Sequence, residues 1–190
     1  MSTEREPAAG SHRFASMGDN VQIDPTVRVI GAERVSIGSN VRIDAFVVLS
    51  AGEGGIVIGD YVHLGAHTFL AGAARIEIGD FIGISGRVSI YSSSDEYSGE
   101  GIVGPTIPPD FRDVTDAPVT VSDLCGIGAG SVLLPGVTLA EGAGVAALSL
   151  VRDDVGPLEM VGGVPAKRIG MRSRTLLELG RRLREARRDS

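Results

Sequence analysis

The chain has 190 residues, a formal net charge of −6, one cysteine and only 4% aromatic residues. This length allows one domain with a sizeable core, and the acidic balance disfavours nucleic acid and anionic membranes as partners. A single thiol excludes an intramolecular disulfide, and we see neither a signal peptide nor a bilayer-spanning apolar run. We therefore expect a cytoplasmic protein that binds no membrane.

The N-terminal segment, residues 1–18, is polar and carries no periodic pattern, which predicts a disordered or loosely packed tail. From residue 19 to residue 171 a six-residue unit repeats, and the first and third residues of each unit are small or aliphatic. The third residues of the first seventeen units are all aliphatic. They are Ile23, Val29, Ile37, Ile43, Leu49, Ile58, Leu64, Leu70, Ile78, Ile84, Ile90, Val121, Ile127, Leu133, Leu139, Val145 and Val151.

Strand geometry explains this repeat. Side chains alternate across a strand, so the first and third residues of a unit share one face and the second faces outward. A small or turn-forming residue after each short strand bends the chain, and three such sides close one triangular coil. The sequence therefore predicts an all-β protein, a left-handed parallel β-helix of about six coils.

Insertions support a three-sided coil. Residues in excess of six occur only in the units that begin at Val27, Val47, Thr68 and Val88, which are the second, fifth, eighth and eleventh. All insertions therefore fall on one corner of the prism. The largest insertion, residues 92–118, is the only long loop, and long loops in compact domains are usually functional.

The C-terminal segment, residues 172–190, predicts a basic amphipathic helix. Leu176, Leu179 and Leu183 share one side at helical spacing. We expect this helix to cover the C-terminal end of the prism or to lie on a neighbouring chain. The arginines of this helix could attract the phosphates of a cofactor, but a charge pattern of this kind more often marks a face exposed to solvent.

The hexapeptide phase, the long corner loop and the motif GGVPAKRI at residues 162–169 resemble the hexapeptide-repeat acyltransferases. The galactoside and maltose O-acetyltransferase group and its sugar-modifying relatives look most similar. The resemblance implies an O- or N-acyltransferase that uses acyl-CoA, with acetyl-CoA as the default donor and no metal. It also implies a homotrimer with active sites between subunits. The implied acceptor is a sugar, nucleotide-sugar or related small molecule that attacks the thioester directly.

Five residues match the cofactor-binding positions of the family. Ala129 in GIGAGS matches the residue whose backbone N–H meets the thioester oxygen, and Ala147 in VAALS matches a small residue beside the pantetheine arm. Arg152 matches a polar contact to the cofactor. Lys167, the only lysine of the chain, and Arg168 match basic residues near the nucleotide end.

The long loop departs from the family at the catalytic residue. Where the compared group has a histidine at the start of the loop, this chain has Asp95, followed by Glu96, and the loop contains no histidine. Asp95 is therefore a candidate base if burial or the neighbouring Glu96 raises its pKa, and it could instead hold the acceptor amine or hydroxyl. We hypothesise that His67 of one subunit pairs with Asp95 of the next, so that the carboxylate orients the imidazole. The alternative is that both are ordinary polar corner residues.

Two other functions remain open at this stage. A non-catalytic β-helix scaffold is compatible with the missing loop histidine. A zinc carbonic anhydrase on the same prism is remote, because it needs three converging imidazoles and the repeat contains only His63 and His67. Cys125 occupies a first position of its unit, which predicts a buried structural thiol rather than a nucleophile.

Overall fold

The computed structural model describes residues 13–188 and shows a left-handed β-helix of about seven turns. Residues 1–12 of the predicted tail lie outside the described residues. The remainder of that segment is not a tail, because Ser16 and Met17 form the first strand and pair in parallel with Ser36 and Ile37. This strand forms one side before the first unit at Val21. Met17 pairs with the inward-facing Ile37 but is exposed, because β1 is the edge strand of its sheet.

Three parallel sheets form the sides of the prism. Side A contains β1 (Ser16–Met17), β4 (Val35–Ile37), β7 (Ile56–Ile58), β10 (Ile76–Ile78), β15 (Val119–Val121) and β18 (Thr138–Leu139). Side B contains β2 (Gln22–Ile23), β5 (Arg42–Ile43), β8 (His63–Leu64), β11 (Gly83–Ile84), β16 (Gly126–Ile127), β19 (Gly144–Val145), β21 (Glu159–Gly162) and the antiparallel β22 (Lys167–Met171). Side C contains β3 (Arg28–Ile30), β6 (Val48–Ala51), β9 (Phe69–Gly72), β12 (Ser89–Tyr91), β17 (Val132–Leu133) and β20 (Leu150–Val151).

The predicted inward ladder forms the core. Every third-position residue of the seventeen units is buried except Ile23, which lies in an early coil and packs only partly against the core. Polar first-position residues are also enclosed, and the hydroxyls of Ser131 and Ser149 donate to the carbonyl of Ala146 at 3.0 and 2.6 Å. The insertions lie, as predicted, on one corner, corner CA, between sides C and A.

The other two corners carry bulky residues in the left-handed backbone region, where we expected small ones. Corner AB, between sides A and B, includes Tyr61 and Phe81, and corner BC, between sides B and C, includes Phe46 and His67, all with φ near +60°. Each of these conformations is strained for a residue with a Cβ. The stacked coils hold them there, because backbone N–H groups such as that of Tyr61 donate to a carbonyl of the preceding coil.

The C-terminal helix α1 (Thr175–Arg188) does not cover the end of the prism, so that expectation was wrong. It runs back along corner AB of its own chain. Arg184 and Arg187 contact the carboxylates of Asp123 and Asp60 at 2.7 and 2.6 Å, and the Arg187 guanidinium lies 4.7 Å from the centre of the Tyr61 ring. A row of acidic and aromatic corner side chains therefore attracts the helix to the side of the prism.

The ion pair of Asp60 makes helix docking sensitive to acid. Partial burial raises the pKa of Asp60, but hydrogen bonds from the Ser39 N–H and the Arg187 guanidinium outweigh it, so this pKa lies below its usual value. A lowered carboxyl pKa stabilises the fold above the unfolded-state pKa, and the stabilisation disappears as the pH falls through the folded-state pKa.

We therefore predict that Asp60→Asn lowers the free energy of unfolding at pH 7 by about 1 kcal/mol. The difference from the wild type should shrink as the pH falls below about 4, the usual pKa of an aspartate. Urea unfolding between pH 7 and pH 2.5 measures both effects, with the exposed loop variant Asp110→Asn as the control. A difference that is constant with pH would contradict this interpretation.

Candidate active site

The long corner loop contains an ordered hairpin. Strands β13 (Ser93–Asp95) and β14 (Val114–Asp116) pair antiparallel, and the Glu96 N–H donates to the Asp113 carbonyl at 2.9 Å. A 3₁₀ turn at Pro109–Phe111 precedes β14. Asp95 therefore ends a hydrogen-bonded strand, and its backbone is fixed relative to the prism.

Arg112 holds the Asp95 side chain. The guanidinium Nη2 and Nε lie 2.7 and 3.2 Å from the same carboxylate oxygen, Oδ1, and both side chains are largely buried, with 22% and 18% exposed. The second oxygen, Oδ2, has no hydrogen-bond partner among residues 13–188. It is therefore available to a ligand. A pocket next to this pair is lined by Tyr91, Ser93, Ser94, Asp95, Tyr97, Arg112 and Leu134.

Glu96 does not act on Asp95 as expected. Its carboxylate accepts a hydrogen bond from the Thr115 hydroxyl at 2.7 Å, so it is directed to the second strand of the hairpin. The charged group that contacts the Asp95 carboxylate is the guanidinium of Arg112. The loop contains six carboxylates and only one basic residue, Arg112, so charge balance within residues 92–118 was the signal that could have identified this pair.

Three of the predicted cofactor-binding residues lie together. Arg152, Lys167 and Arg168 line one surface depression at the C-terminal end of the prism, together with Asp153, Asp154 and Glu159. Arg152 follows β20 on side C, whereas Lys167 and Arg168 lie in β22 on side B. The Lys167 Nζ lies 3.9 Å from Asp153, so it is only loosely paired and remains largely exposed. Cationic groups gathered in this way can bind the phosphates of a nucleotide.

Backbone contacts hold the GGVPAKRI segment against side C. The Ala166 N–H donates to the Leu150 carbonyl at 2.8 Å, and the Gly163 N–H donates to the Ser149 hydroxyl at 3.2 Å. The segment then continues as β22, so the main chain of Lys167 belongs to a sheet rather than to a free loop. The position of its cationic side chain is accordingly set by the fold.

Ala129 and Ala147 occupy equivalent places in successive coils on corner BC. Both are exposed, and their backbone N–H groups have no hydrogen-bond partner among the described residues. Gly128 allows the two coils to stack closely, because a Cβ at that position would lie 2.4 Å from the Ala147 nitrogen. Free amides at fixed positions are suited to stabilise a developing oxyanion.

The histidines differ in their surroundings. His63 contacts the Asp44 carboxylate at 2.8 Å on the outer face of side B, and this hydrogen bond is the main reason that the pKa of Asp44 is lowered. His67 is exposed on corner BC and stacks on Phe46, with ring centres 5.0 Å apart. Within one chain, His67 and Asp95 lie at opposite edges of side C. Their pairing between subunits stays a prediction.

Two further features bear on the chemistry. Cys125 is buried, and burial raises the pKa of its thiol to about 11, which agrees with the predicted structural role.

Within residues 13–188, no three His, Cys, Asp or Glu side chains form a group that could hold a metal ion. In the same part of the chain, no helix is both long and apolar enough to cross a membrane.

No protein-family model matches the chain, but individual proteins of known activity do. The dTDP-4-amino-4,6-dideoxy-D-glucose acyltransferase of Escherichia coli is 44% identical over 166 residues, which cover 87% of this chain and 86% of the relative. The N-acyltransferase AntD of Bacillus cereus, solved with dTDP and 3-hydroxybutyryl-CoA, is 36% identical, with a TM-score of 0.88 and 92% of each chain covered.

A more distant structure agrees in fold. The maltose O-acetyltransferase of Clostridium difficile is 19% identical, with a TM-score of 0.58, and the similarity covers 84% of this chain and 71% of that one. The repeat, the terminal motif and the two nearer relatives point to the same chemistry, and this removes the scaffold alternative. The chain belongs to the hexapeptide-repeat acyltransferases and is an acyl-CoA-dependent enzyme that acts on a sugar-like acceptor.

Proposed function

We propose that this enzyme transfers an acyl group to the amine of a nucleotide-linked amino sugar, such as dTDP-4-amino-4,6-dideoxyglucose. The observation that carries this proposal is the Asp95 carboxylate beside the pocket, which Arg112 pairs with through one oxygen while the other has no partner among the described residues. A hydroxyl acceptor needs a base to remove its proton during attack, whereas a neutral amine is already a good nucleophile. A carboxylate paired with arginine is suited to orient an amine rather than to deprotonate an alcohol.

A serine and an aspartate of the relative AntD support this assignment. Structures of that enzyme include substitutions of one serine and one aspartate that lie ten positions apart, with dTDP or dTDP-4-amino-4,6-dideoxyglucose bound beside coenzyme A. Ser85 and Asp95 have the same spacing in this chain. Ser85 is exposed beside β11, directly before the turn of corner BC. Because these residues lie at opposite edges of side C within one chain, we propose that Ser85 of one subunit joins Asp95 of the next in binding the acceptor amine.

The proposed reaction is a direct acyl transfer. The lone pair of the amine attacks the thioester carbonyl carbon, which forms a C–N bond and places negative charge on the carbonyl oxygen. The N–H of Ala129 stabilises this oxyanion. When the intermediate collapses, the C–S bond breaks, the sulfur leaves with the electron pair, and the proton lost from nitrogen ends on that sulfur. The products are an amide and coenzyme A, and Asp95 holds the nitrogen through its remaining N–H.

We propose that the acyl-CoA donor binds to the cofactor-binding residues described above. Arg152, Lys167 and Arg168 bind the nucleotide phosphates, and the small side chain of Ala147 leaves room for the pantetheine arm. Acetyl-CoA is the default donor, and a longer acyl group is compatible with the 3-hydroxybutyryl-CoA bound by AntD. Because acyl-CoA is an intracellular metabolite, we also propose that the enzyme acts in the cytoplasm.

The division of these residues between two corners of one chain supports a homotrimer. Asp95 lies on corner CA, whereas His67, Ala129 and Ala147 lie on corner BC, across the width of side C. Four of the six paired outward positions on side C are also apolar, namely Val48, Phe69, Val132 and Leu150, and the other two are Arg28 and Ser89. Packing of three prisms about an axis would bring corner CA of one subunit to corner BC of the next and cover apolar surface.

We predict that a coenzyme A release assay detects turnover with acetyl-CoA and dTDP-4-amino-4,6-dideoxyglucose but not with maltose. Asp95→Asn should lower kcat/KM by roughly 100-fold, because an amide cannot replace the charge-assisted hydrogen bond to the acceptor. Asp110→Asn, in the same loop but exposed, serves as the control. Equal turnover of sugar amines and hydroxyls by the wild type would refute N-acyl specificity.

We also predict the kinetic effect of removing Lys167 from the depression at the C-terminal end of the prism. Lys167→Ala should raise the KM for acetyl-CoA by roughly 10-fold and leave kcat nearly unchanged, because phosphate binding far from the thioester contributes equally to the ground and transition states. Arg75→Ala removes an exposed arginine that pairs with Glu77 on side A and should have no effect. A loss of kcat with unchanged KM would contradict the assignment of Lys167.

Mixed assemblies test the site between subunits. We predict a trimer in sedimentation analysis and low activity in both His67→Ala and Asp95→Asn. When these two variants are co-expressed, some interfaces contain neither substitution, so activity should partly return. The double variant, co-expressed with either single variant, lacks this rescue. Absence of rescue, or a monomer with full activity, would rule out a site shared between chains.

A further inference from the structure

We propose that Arg112 is a positioning residue, which fixes Asp95 so that a single carboxylate oxygen receives the acceptor amine. This inference rests on the proposed function and deepens it by naming the group that sets the acceptor geometry. Both Arg112 donors, Nη2 and Nε, meet Oδ1 of Asp95 at 2.7 and 3.2 Å. An arginine that bonded both oxygens would occupy a lone pair on each, whereas this arrangement directs both donors to Oδ1 and leaves Oδ2 without a partner among the described residues.

The backbone on either side of the pair is held independently. Asp95 ends β13, and the adjacent Glu96 N–H is bound to the Asp113 carbonyl. Arg112 directly follows the 3₁₀ turn at Pro109–Phe111 and donates its own N–H to the Pro109 carbonyl at 3.0 Å. Because the two arms of the loop carry one partner each, the ion pair joins them beside the pocket. The carboxylate orientation is therefore set before the acceptor binds, and binding does not have to order it.

Burial makes this pair different from the surface ion pairs of the protein. The Asp95 and Arg112 side chains are 18% and 22% exposed, whereas those of Arg75 and Glu77 are 50% and 49% exposed. Removing one partner of a shielded pair leaves the other charge without compensation. In Arg112 variants, Asp95 would consequently turn towards solvent or towards the acceptor in a different orientation. The acceptor amine would then be displaced from the line of attack on the thioester.

The test compares Arg112→Met and Arg112→Lys with Asp95→Asn in acetyl transfer to dTDP-4-amino-4,6-dideoxyglucose. Arg112→Met should lower kcat/KM for the acceptor by roughly 10- to 100-fold, which corresponds to the loss of a hydrogen bond to a charged group. The KM for acetyl-CoA should stay within about two-fold of the wild type. Arg112→Lys should recover part of the loss, because lysine restores the charge but not the two fixed donors.

Non-additivity separates positioning from a structural role. If Arg112 acts only through Asp95, Arg112→Met introduced into Asp95→Asn should cost less than about three-fold more activity. Equal effects of Arg112→Met in both backgrounds, with a lowered melting temperature, would indicate a structural role and overturn the inference. Wild-type kinetics in Arg112→Met would overturn it too. A wild-type enzyme that does not acylate this amino sugar would instead refute the proposed function, and the positioning role would fall with it.

Discussion

The backbone hydrogen bonds between stacked coils are the constraint on which the rest of this molecule depends. Each side of the prism is a parallel sheet in which a strand of two to four residues pairs with the strand one coil earlier and one coil later. Such short strands are unstable alone, so the aliphatic ladder must exclude water from every coil at once. The ladder therefore sets the register, and the register fixes the outward direction of every second side chain.

Corner geometry turns this regular core into a functional surface. At corners AB and BC, bulky residues accept a left-handed backbone because their N–H groups bond to the preceding coil. The same turns place Ala129 and Ala147 at equivalent positions of successive coils, where their backbone N–H groups are free. Corner AB instead presents stacked carboxylates and aromatic rings, and the C-terminal helix covers these. Similar backbone geometry thus leaves amides free on one corner and supports a helix on another.

Insertions at corner CA leave the ladder undisturbed, so this corner can carry the variable part of the enzyme. The hairpin in residues 92–118 extends outward without breaking the pairing of β12 with β17. It brings Asp95 to Arg112 on corner CA, and Arg152 follows β20 on the same corner, nearer the C-terminal end of the prism. The chemistry we propose requires that this oriented carboxylate and the depression lined by Arg152 and Lys167 serve one reaction. A loop with a histidine would suit a hydroxyl acceptor, and this loop suits an amine.

The sequence by itself determined the coil, its three sides, the corner that carries insertions and the buried thiol of Cys125, because all of these follow from a short-range alternation of apolar residues. The family resemblance also singled out Ala129, Ala147 and Arg152 in the last repeats and Lys167 and Arg168 in the terminal motif, and the structure shows the three basic residues in one depression. Their roles in binding stay predictions. The strand at Ser16 and Met17 was missed because it belongs to a single unit, with Ala15 and Met17 in the first and third positions, next to a segment without the repeat.

Only the tertiary structure decided which charges meet. Arg112 lies 17 residues from Asp95, and Arg187 lies 127 residues from Asp60, so neither pair has a local spacing that a repeat could reveal. The hairpin and the helix position depend on long-range electrostatic and aromatic contacts, which compete with alternatives such as Glu96 beside Asp95 or a helix over the prism end. Which of these arrangements forms depends on distances and burial in the folded chain, and the periodicity of the sequence contains no information about either.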